Sequence, residues 1–426
     1  MNGLLALVDQ GSTATKAVLV DGEGTVLATA EEPTPVEHRD GRILHDPAAI
    51  AASVERLLTE VSRRGQPEGV GLTCQRSTCL LWERADATPL TAALSWQDTS
   101  AAGRLDEDAA QRVTRLTGLR LSPHYAASKL AALLDETPGT RRRAAAGEVV
   151  AGTLDAFLVH RLTGTPSTEA GHAGRTLLYD LQADEWSAEL CELFGVPREA
   201  LPELRPSIGS RGQTRWGAPL LALAGDQQAA LVGHGGWTPG VAAAHFGTGA
   251  FVLASTGETP VRHPGLLTAV LASTASGRRQ LQIEGSVNSA GSAVDWAVGL
   301  TGIDLDRWTD RSLAAEGPPW LFPALAGAAA PWWRPAARGV LAGISLGDGP
   351  DGASPPCSRA SPTAWSTASR RSPRPAWSST SSASPVASPA SPASSRPWPT
   401  WPASRSSWPR SRRRVSTASP RSSAAR

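Results

Sequence analysis

The chain has 426 residues, too many for one compact core, so its length predicts two domains of roughly 150–200 residues each. Its formal net charge of +2 is unevenly distributed, because residues 349–426 contain 12 of the 41 basic residues and a single acidic one, Asp351. The rest of the chain therefore carries 29 basic against 38 acidic residues. This balance excludes overall basicity as an argument for nucleic-acid binding.

The cysteines and the hydropathy exclude further classes of protein. The four cysteines form no Cys-x-x-Cys pair, which argues against a disulfide framework and a cysteine-based zinc site and favours a cytoplasmic protein. The sequence contains no apolar run of 18 residues and no basic segment followed by an apolar one at its start. We therefore expect neither secretion nor a membrane span.

The first 45 residues predict a β-meander with tight turns. Apolar stretches at residues 4–8 and 16–20 flank a small, polar segment, and a turn at residues 21–24 leads into a third strand at 25–30. Asp46 then predicts the N-cap of an amphipathic helix. Later elements of this half are strands at 70–73, 80–82 and 148–152 and helices within 101–134 and at 153–162. The alternation predicts an α/β class.

A second alternating block begins near residue 221. It predicts strands at 221–224, 241–245, 251–254 and 281–285 and helices from 227 and over 291–300. The domain boundary is expected in the glycine-rich stretch 233–240, which divides the chain into domains 1–235 and 236–347. Residues 348–426 are rich in Ser, Pro, Ala and Arg and contain no Leu, Ile or Phe. Such a segment cannot bury enough apolar surface to offset its ordering cost, so we predict a disordered tail.

Three polar segments carry the chemistry. Residues 9–16 place Asp9 at a strand end, followed by small residues whose amides and hydroxyls could meet phosphate, and then Lys16; an ordinary surface hairpin is the alternative. Residues 246–251 form a second glycine turn, which could equally be a plain β-turn. Asp226 stands at a strand-to-helix corner, where either a general base or a helix cap would lie. Two glycine hairpins with an acid between them predict a nucleotide site between two domains.

Nine stretches in one order resemble the FGGY carbohydrate kinases, and the glycerol kinases in particular. They are residues 8–16, 74–78, 94–98, 116–129, 152–155, 224–231, 246–251, 284–296 and 331–346. The resemblance implies a two-domain, actin-like (ribonuclease H-like) ATPase fold with a truncated second domain. It also implies transfer of the γ-phosphoryl group of ATP to a sugar or polyol, a small-molecule acceptor, with Mg²⁺ as cofactor.

The resemblance also implies roles for individual residues. Asp226 matches the general base, and Asp9 would hold Mg²⁺. The residues implied to contact the nucleotide are Ser12, Thr13, Lys16, Thr248, Gly249 and Gly291. The residues implied to contact the acceptor are Arg76, Ser77, Trp96, His124, Tyr125, Asp226 and Phe251.

The acceptor side departs from the glycerol kinases at two positions. Ser77 stands where the resemblance expects Glu, and His124, followed by Tyr125, stands where it expects an aromatic residue. Because a site that lacks a matched hydrogen-bond partner discriminates poorly, another polyol or a ketose is at least as consistent as glycerol. Arg76 as a surface ion pair and Trp96 as plain core are the alternatives for those two residues.

The tail has the composition that G/C-rich DNA yields when it is read out of frame. With G/C-rich codons, shifting residues 361 onwards, 377–388 and 396–413 into one other frame yields a Gly-Gly strand and helices of the kind the family expects there. We hypothesise a frameshift near Gly347, in the gene or in its recorded sequence.

Several functional alternatives stay open. They are a non-catalytic actin-like nucleotide-binding protein, a pseudogene product that is inactive as written, and nucleic-acid binding through the Arg and Trp residues of the tail. The sequence predicts no nucleic-acid or membrane partner for the rest of the chain. A homo-oligomer also stays open.

Overall fold

The computed structural model describes residues 3–104, 109–301 and 320–343. The strands are β1 (Leu5–Gln10), β2 (Ala14–Val20), β3 (Val26–Pro33), β4 (Glu37–Arg39), β5 (Arg42–His45), β6 (Gly69–Cys74), β7 (Cys79–Glu83), β8 (Ala93–Leu94), β9 (Val149–Thr153), β10 (Ser167–Thr168), β11 (Tyr179–Asp180), β12 (Glu185–Trp186), β13 (Glu203–Leu204), β14 (Leu220–Gly225), β15 (Ala242–Phe246), β16 (Ala250–Gly257), β17 (Leu267–Ser273), β18 (Arg279–Val287), β19 (Trp320–Phe322) and β20 (Val340–Ala342). The helices are α1 (Pro47–Ser62), α2 (Ala110–Thr117), α3 (Ala126–Glu136), α4 (Thr140–Ala145), α5 (Leu154–Thr163), α6 (Ala170–Gly174), α7 (Ala188–Phe194), α8 (Asp226–Gly233) and α9 (Gly291–Thr301). The predicted α/β class is confirmed, and the predicted tail over 348–426 lies outside the described residues.

The first sheet has the strand order β14-β6-β1-β2-β3. Strands β1, β2 and β3 form the predicted antiparallel meander, and the Asp21 carboxylate fixes its second turn by accepting from the amides of Glu23 and Thr25, both at 2.9 Å. Strands β6 and β14 run parallel to β1. The carboxyl ends of β1, β6 and β14 therefore meet at one edge of the sheet, where ligand sites of open α/β sheets commonly lie.

Helix α1 is the predicted amphipathic helix, and it covers the first sheet. The Asp46 carboxylate caps it by accepting from the amides of Ala48 (2.9 Å) and Ala49 (3.1 Å), and Pro47 occupies the first helical turn. Its apolar stripe, which includes Val54, Leu57 and Leu58, is buried against the sheet. The helix thus forms where its local signals place it, and burial of the stripe stabilises it.

The second sheet has the order β4-β5-β8-β7-β9 and shares its cores with α3 and α5. Trp82 on β7 is completely buried, packs edge-on against Phe157 with ring centroids 5.7 Å apart, and donates its Nε1–H to Nδ1 of His160 at 3.0 Å. Strands β6 and β7 are joined by only four residues, 75–78. This short connection passes from the first sheet to the second and carries Arg76 and Ser77.

The third sheet is antiparallel with the order β15-β16-β18-β17. Strand β17 does not follow from the sequence pattern, because its six consecutive buried residues show no alternation. The short strands β10 to β13 and helices α6 and α7 were also not predicted. No helix within the described residues has both the length and the apolar character needed to cross a bilayer.

Three cysteines lie in the described part of the chain, and all three are free thiols buried in the protein. Cys74 ends β6 and Cys79 begins β7, so the two flank the connection at 75–78. Burial raises the pKa of Cys79 and of Cys191 to about 11, and it raises the pKa of Cys74 as well.

Gly118 joins helix α2 to the third sheet. It caps α2 with a φ of +75°, and its carbonyl accepts from the amide of Thr268 on β17 at 3.0 Å. A Cβ atom at this position would lie 2.6 Å from the carbonyl oxygen of Thr268. Glycine is therefore required here both for its conformation and for the close approach of the two backbones.

We expect Gly118→Ala to lower the free energy of unfolding by more than Gly139→Ala. Gly139 has the same φ of +75° but nothing within 4 Å of the added Cβ. Its substitution should therefore lower the free energy of unfolding only by the cost of the left-handed conformation, about 1–2 kcal/mol. Gly118→Ala should lose about 1–3 kcal/mol more, because the clash forces the backbones apart. Urea unfolding followed by circular dichroism measures both; equal losses would contradict the proposed contact.

Candidate active site

Asp9 lies at the carboxyl end of β1, opposite Lys16 on β2 and Thr73 on β6. Its carboxylate accepts from the Thr73 hydroxyl at 2.8 Å. The pKa of Asp9 is raised, first because protein atoms displace water around it and further because Asp226 repels its negative charge, while Thr73 and Lys16 act in the opposite direction. Two neighbouring carboxylates at one edge of a sheet are a suitable site for a cation.

The hairpin after β1 leaves backbone donors unused. The amides of Ser12 and Thr13 donate to no acceptor within the described residues. Lys16 is half exposed and lies 3.6 Å from the Glu31 carboxylate. Free amides and a nearby ammonium group are the donors that a phosphate group requires.

The second glycine hairpin joins β15 to β16. The amides of Thr248 and Gly249 also have no acceptor among the described residues. The start of α9 closes over this hairpin, because Gly291 donates its amide to the Gly247 carbonyl at 2.9 Å. A Cβ atom on Gly291 would lie 2.6 Å from that carbonyl oxygen and one on Gly249 would lie 2.8 Å from the Val287 carbonyl oxygen. Both glycines are therefore needed for the packing of this turn.

Asp226 is the first residue of α8 and not its N-cap, so the helix-cap alternative from the sequence is wrong. Gly225 is the cap, because the chain is still extended there and turns helical only at Asp226. The Asp226 carboxylate accepts from the Gln227 amide at 2.7 Å and lies 3.5 Å from Nε of Arg76. About one third of the side chain is exposed. The carboxylate is thus oriented on one side and accessible on the other.

Arg76 connects several predicted residues. Its Nη1 lies 3.1 Å from the Glu284 carboxylate and 3.4 Å from Oε1 of Gln228, and its guanidinium carbon lies 6.0 Å from the centre of the Phe251 ring. Only 10% of the side chain is exposed. The alternative of a surface ion pair is therefore wrong. Gly225 permits this arrangement, since a Cβ there would lie 2.9 Å from Cδ of Arg76.

Glu284 and Arg175 form a buried centre that the sequence did not predict. Glu284, 2% exposed, receives hydrogen bonds from both Arg76 and Arg175, and Arg175 is 4% exposed. Burial alone would raise the pKa of Glu284, but the two guanidinium groups outweigh it and lower the pKa to about 2. An acid within the buried strand β18 was the available sequence signal, since a buried carboxylate requires a partner.

The remaining residues that are implied to contact the phosphoryl acceptor lie along one wall. Ser77 is buried with a φ of +66°, and its hydroxyl donates to the Arg175 carbonyl at 3.3 Å. Trp96 is half-buried, so it is not plain core, and Nδ1 of His124 lies 3.2 Å from its carbonyl oxygen. Burial raises the pKa of Tyr125, which lies near Arg175 and Glu284.

The structure brings half of the predicted residues into two groups. The first group contains the two carboxylates, Asp9 and Asp226, together with Arg76 and Phe251. The second contains Ser77, Trp96 and His124, joined through backbone contacts. The described residues contain no cluster of three or more His, Cys, Asp or Glu side chains that could hold a metal ion. A cation here would therefore rely on one or two carboxylates and on water.

Comparison with known proteins identifies a family for nearly all of the described chain. Residues 4–233 match the FGGY family of carbohydrate kinases, N-terminal domain, and residues 242–356 match its C-terminal domain. The chain is 40% identical over 370 residues to a glycerol kinase of Alkalilimnicola ehrlichii and 39% identical over 372 residues to one of Xanthobacter autotrophicus. These matches cover 82% of this chain and 74–75% of the relatives.

Solved structures share the fold. A Plasmodium falciparum glycerol kinase with ADP superposes with a TM-score of 0.75 at 26% identity, covering 82% of this chain and 74% of the other. A gluconate kinase from Lactobacillus acidophilus gives a TM-score of 0.71 at 21% identity, covering 80% of this chain and 73% of the other. These matches confirm the predicted two-domain, actin-like ATPase fold.

We expect Glu284→Gln to lower the free energy of unfolding at pH 7 by about 3–5 kcal/mol, because it leaves two buried guanidinium groups without their carboxylate. The folded-state pKa of about 2 lies below the ordinary value of 4.5. The ionised carboxylate therefore stabilises the fold fully above pH 4.5, and this contribution is lost as the pH falls towards 2. Urea unfolding between pH 7 and pH 3 should show the difference from wild type narrowing below pH 4.5.

A matched control is Glu258→Gln, which removes an exposed pair with Arg278 at 3.0 Å. Because solvent screens this pair, its loss should change stability by no more than about 1 kcal/mol. If Glu284→Gln behaved like the control, the buried centre would not hold the fold together.

Proposed function

The chain belongs to the FGGY family of carbohydrate kinases, and on this premise we propose that it transfers the γ-phosphoryl group of ATP to a hydroxyl group of a polyol or sugar. The observation that carries the proposal is the placement of Asp226. Its carboxylate is oriented by the Gln227 amide and by Arg76, yet part of it is open to solvent, and it is close enough to Asp9 to raise the pKa of that residue.

In this proposal the two glycine hairpins bind the nucleotide. The free amides of Ser12 and Thr13, together with Lys16, fit the β- and γ-phosphates. Thr248 and Gly249 hold the nucleotide from the other side, and the packing of Gly291 against the hairpin keeps that side in place. These unused donors are the feature of the chain that fits ATP.

Asp9 is the residue proposed to hold Mg²⁺, through water. Asp9 remains accessible to solvent, although protein atoms surround part of its carboxylate, and it supplies the hard oxygen ligands that this ion prefers. When bound, the ion would neutralise negative charge that builds up on the phosphoryl oxygens.

Asp226 acts as the general base. The open side of its carboxylate accepts the proton of the acceptor hydroxyl, the freed oxygen forms a bond to the γ-phosphorus, and the bond to the bridging oxygen of ADP breaks. Arg76 and the Gln227 amide keep the carboxylate in place while the proton moves. The residues thus supply positioning and proton transfer.

The acceptor lies between Arg76, Phe251 and the wall formed by Ser77, Trp96, His124 and Tyr125. Arg76 supplies donors, and the Phe251 and Trp96 rings supply apolar surface for carbon–hydrogen faces. The relatives reported above are glycerol kinases, so glycerol is the first acceptor to test. The hydroxyl of Ser77 is engaged by the Arg175 carbonyl, which supports the expectation that a glycerol-specific contact is weakened here.

We further propose that the chain contains domains at 1–235 and 236–347. We also propose that a frameshift near Gly347 precedes the tail. The family matches at 4–233 and 242–356 support the first part. Resequencing the gene across the codons for residues 342–354 tests the second. An extra or missing base would indicate a longer kinase, whereas an unchanged reading would make the tail a genuine part of this chain.

We expect Asp226→Asn to reduce the rate of ATP-dependent phosphorylation about 10²- to 10⁴-fold, because the amide cannot accept the proton. ADP release in the presence of Mg²⁺ and a panel of polyols and ketoses, glycerol included, measures the activity. The control is Asp46→Asn, since asparagine caps a helix as well as aspartate does. A chain that turns over none of the acceptors, or an Asp226→Asn variant as active as wild type, would favour a non-catalytic nucleotide-binding protein.

A further inference from the structure

Lys129 on α3 is completely buried, and its ammonium group lies among backbone carbonyls. Its Nζ donates to the carbonyl oxygens of Ser77 at 3.0 Å, Ser95 at 2.8 Å and His124 at 3.1 Å. Within the described residues no carboxylate lies within 4.0 Å of Nζ. After burial, which lowers the pKa of Lys129, Cys79 and then Asp98 act in the opposite direction. The Asp98 oxygens themselves accept from the amides of Ile43 and Ser100.

The number of contacts indicates the charged form of this side chain. An ammonium group has three N–H donors, and three carbonyl oxygens receive them. A neutral amine would have two donors and a lone pair that faces the third carbonyl. The three bonds to a charged donor therefore offset the cost of burying the ammonium group, although burial still lowers the pKa of Lys129.

Each of the three carbonyls belongs to a different segment of the acceptor wall. Ser77 follows Arg76 in the β6–β7 connection, Ser95 precedes Trp96 after β8, and His124 precedes Tyr125 before α3. Two hydrogen bonds of Trp96 also join these segments, because its amide donates to the Thr78 hydroxyl at 3.0 Å and its carbonyl faces Nδ1 of His124. Among the described residues, Lys129 is the single side chain that donates hydrogen bonds to all three.

We propose that Lys129 is a positioning residue, which sets the spacing of the three segments that form the acceptor wall. The inference rests on the proposed function for its effect on kinetics, but its structural part does not. Because the wall and the nucleotide hairpins lie on different elements, loss of Lys129 should disturb acceptor binding and leave nucleotide binding unchanged. A purely structural role would change both together or neither.

Hydrogen exchange measured by mass spectrometry on the full chain tests the structural part. In Lys129→Met, amides in residues 76–78, 94–97 and 122–125 should exchange faster together, while those of the β1–β2 hairpin should not change. The matched control is Leu133→Ala, a buried core residue one turn along the same helix. It should destabilise α3 without selectively opening the three segments. Unchanged exchange in the segments, or the same pattern in the control, would overturn the proposal.

Should Lys129→Met fail to fold, Lys129→Arg takes its place. Arginine keeps the positive charge, but its planar donors cannot converge on three carbonyls as an ammonium group does. The same three segments should therefore exchange faster than in wild type. Wild-type exchange in this variant would overturn the proposal.

Kinetics with glycerol and Mg-ATP test the functional part. Lys129→Met should raise the KM for glycerol about 10- to 100-fold, since small displacements of binding groups have effects of this size, with the KM for ATP within about twofold of wild type. Equal changes in both constants, or no change in either, would overturn the positioning role. If the wild-type chain phosphorylates neither glycerol nor another acceptor of the panel, the proposed function fails, and hydrogen exchange alone decides on Lys129.

Discussion

The buried carboxylate of Glu284 holds together three parts of the chain that are far apart in sequence. Glu284 belongs to β18 of the third sheet, and Arg76 belongs to the connection between the first and second sheets. Arg175 directly follows α6. Two guanidinium groups around one carboxylate leave a positive charge, and the Asp226 carboxylate, 3.5 Å from Arg76, balances it. The proposed base is therefore placed by the same set of charges that joins the sheets, so that its orientation depends on their packing.

Features with local causes follow from the sequence, whereas contacts between distant residues do not. Helix α1 could be predicted because Asp46, Pro47 and the apolar stripe are neighbours in the chain. The corner at Asp226 was also predictable, although the cap is Gly225, because a strand, a glycine and a polar run follow one another there. Glu284 and Arg175 are 109 residues apart, and no sequence feature near either residue predicts that the two are partners. The same holds for Lys129, whose distant acceptors, Ser77 and Ser95, are backbone groups that any residue supplies. Strand β17 lacked the alternation that identifies a strand.

Glycine sets the close approaches on both sides of the candidate site. At Gly225 it lets the Arg76 side chain pass the strand-to-helix corner, and at Gly291 it lets α9 begin directly on the second hairpin. In each place the neighbouring atom would overlap with a Cβ. The positions of the charged groups thus depend on residues that have no side chain at all, which explains why the glycines in these motifs matter as much as the acids.

The buried thiols on either side of the β6–β7 connection give the protein a built-in reporter of its own integrity. A thiol reacts through its thiolate, and the raised pKa values of Cys74 and Cys79 keep both sulfurs protonated at neutral pH. Both side chains are buried in the folded protein. Alkylation at these two positions would therefore record how often the segment bearing Arg76 and Ser77 opens, without any ligand or assay of turnover.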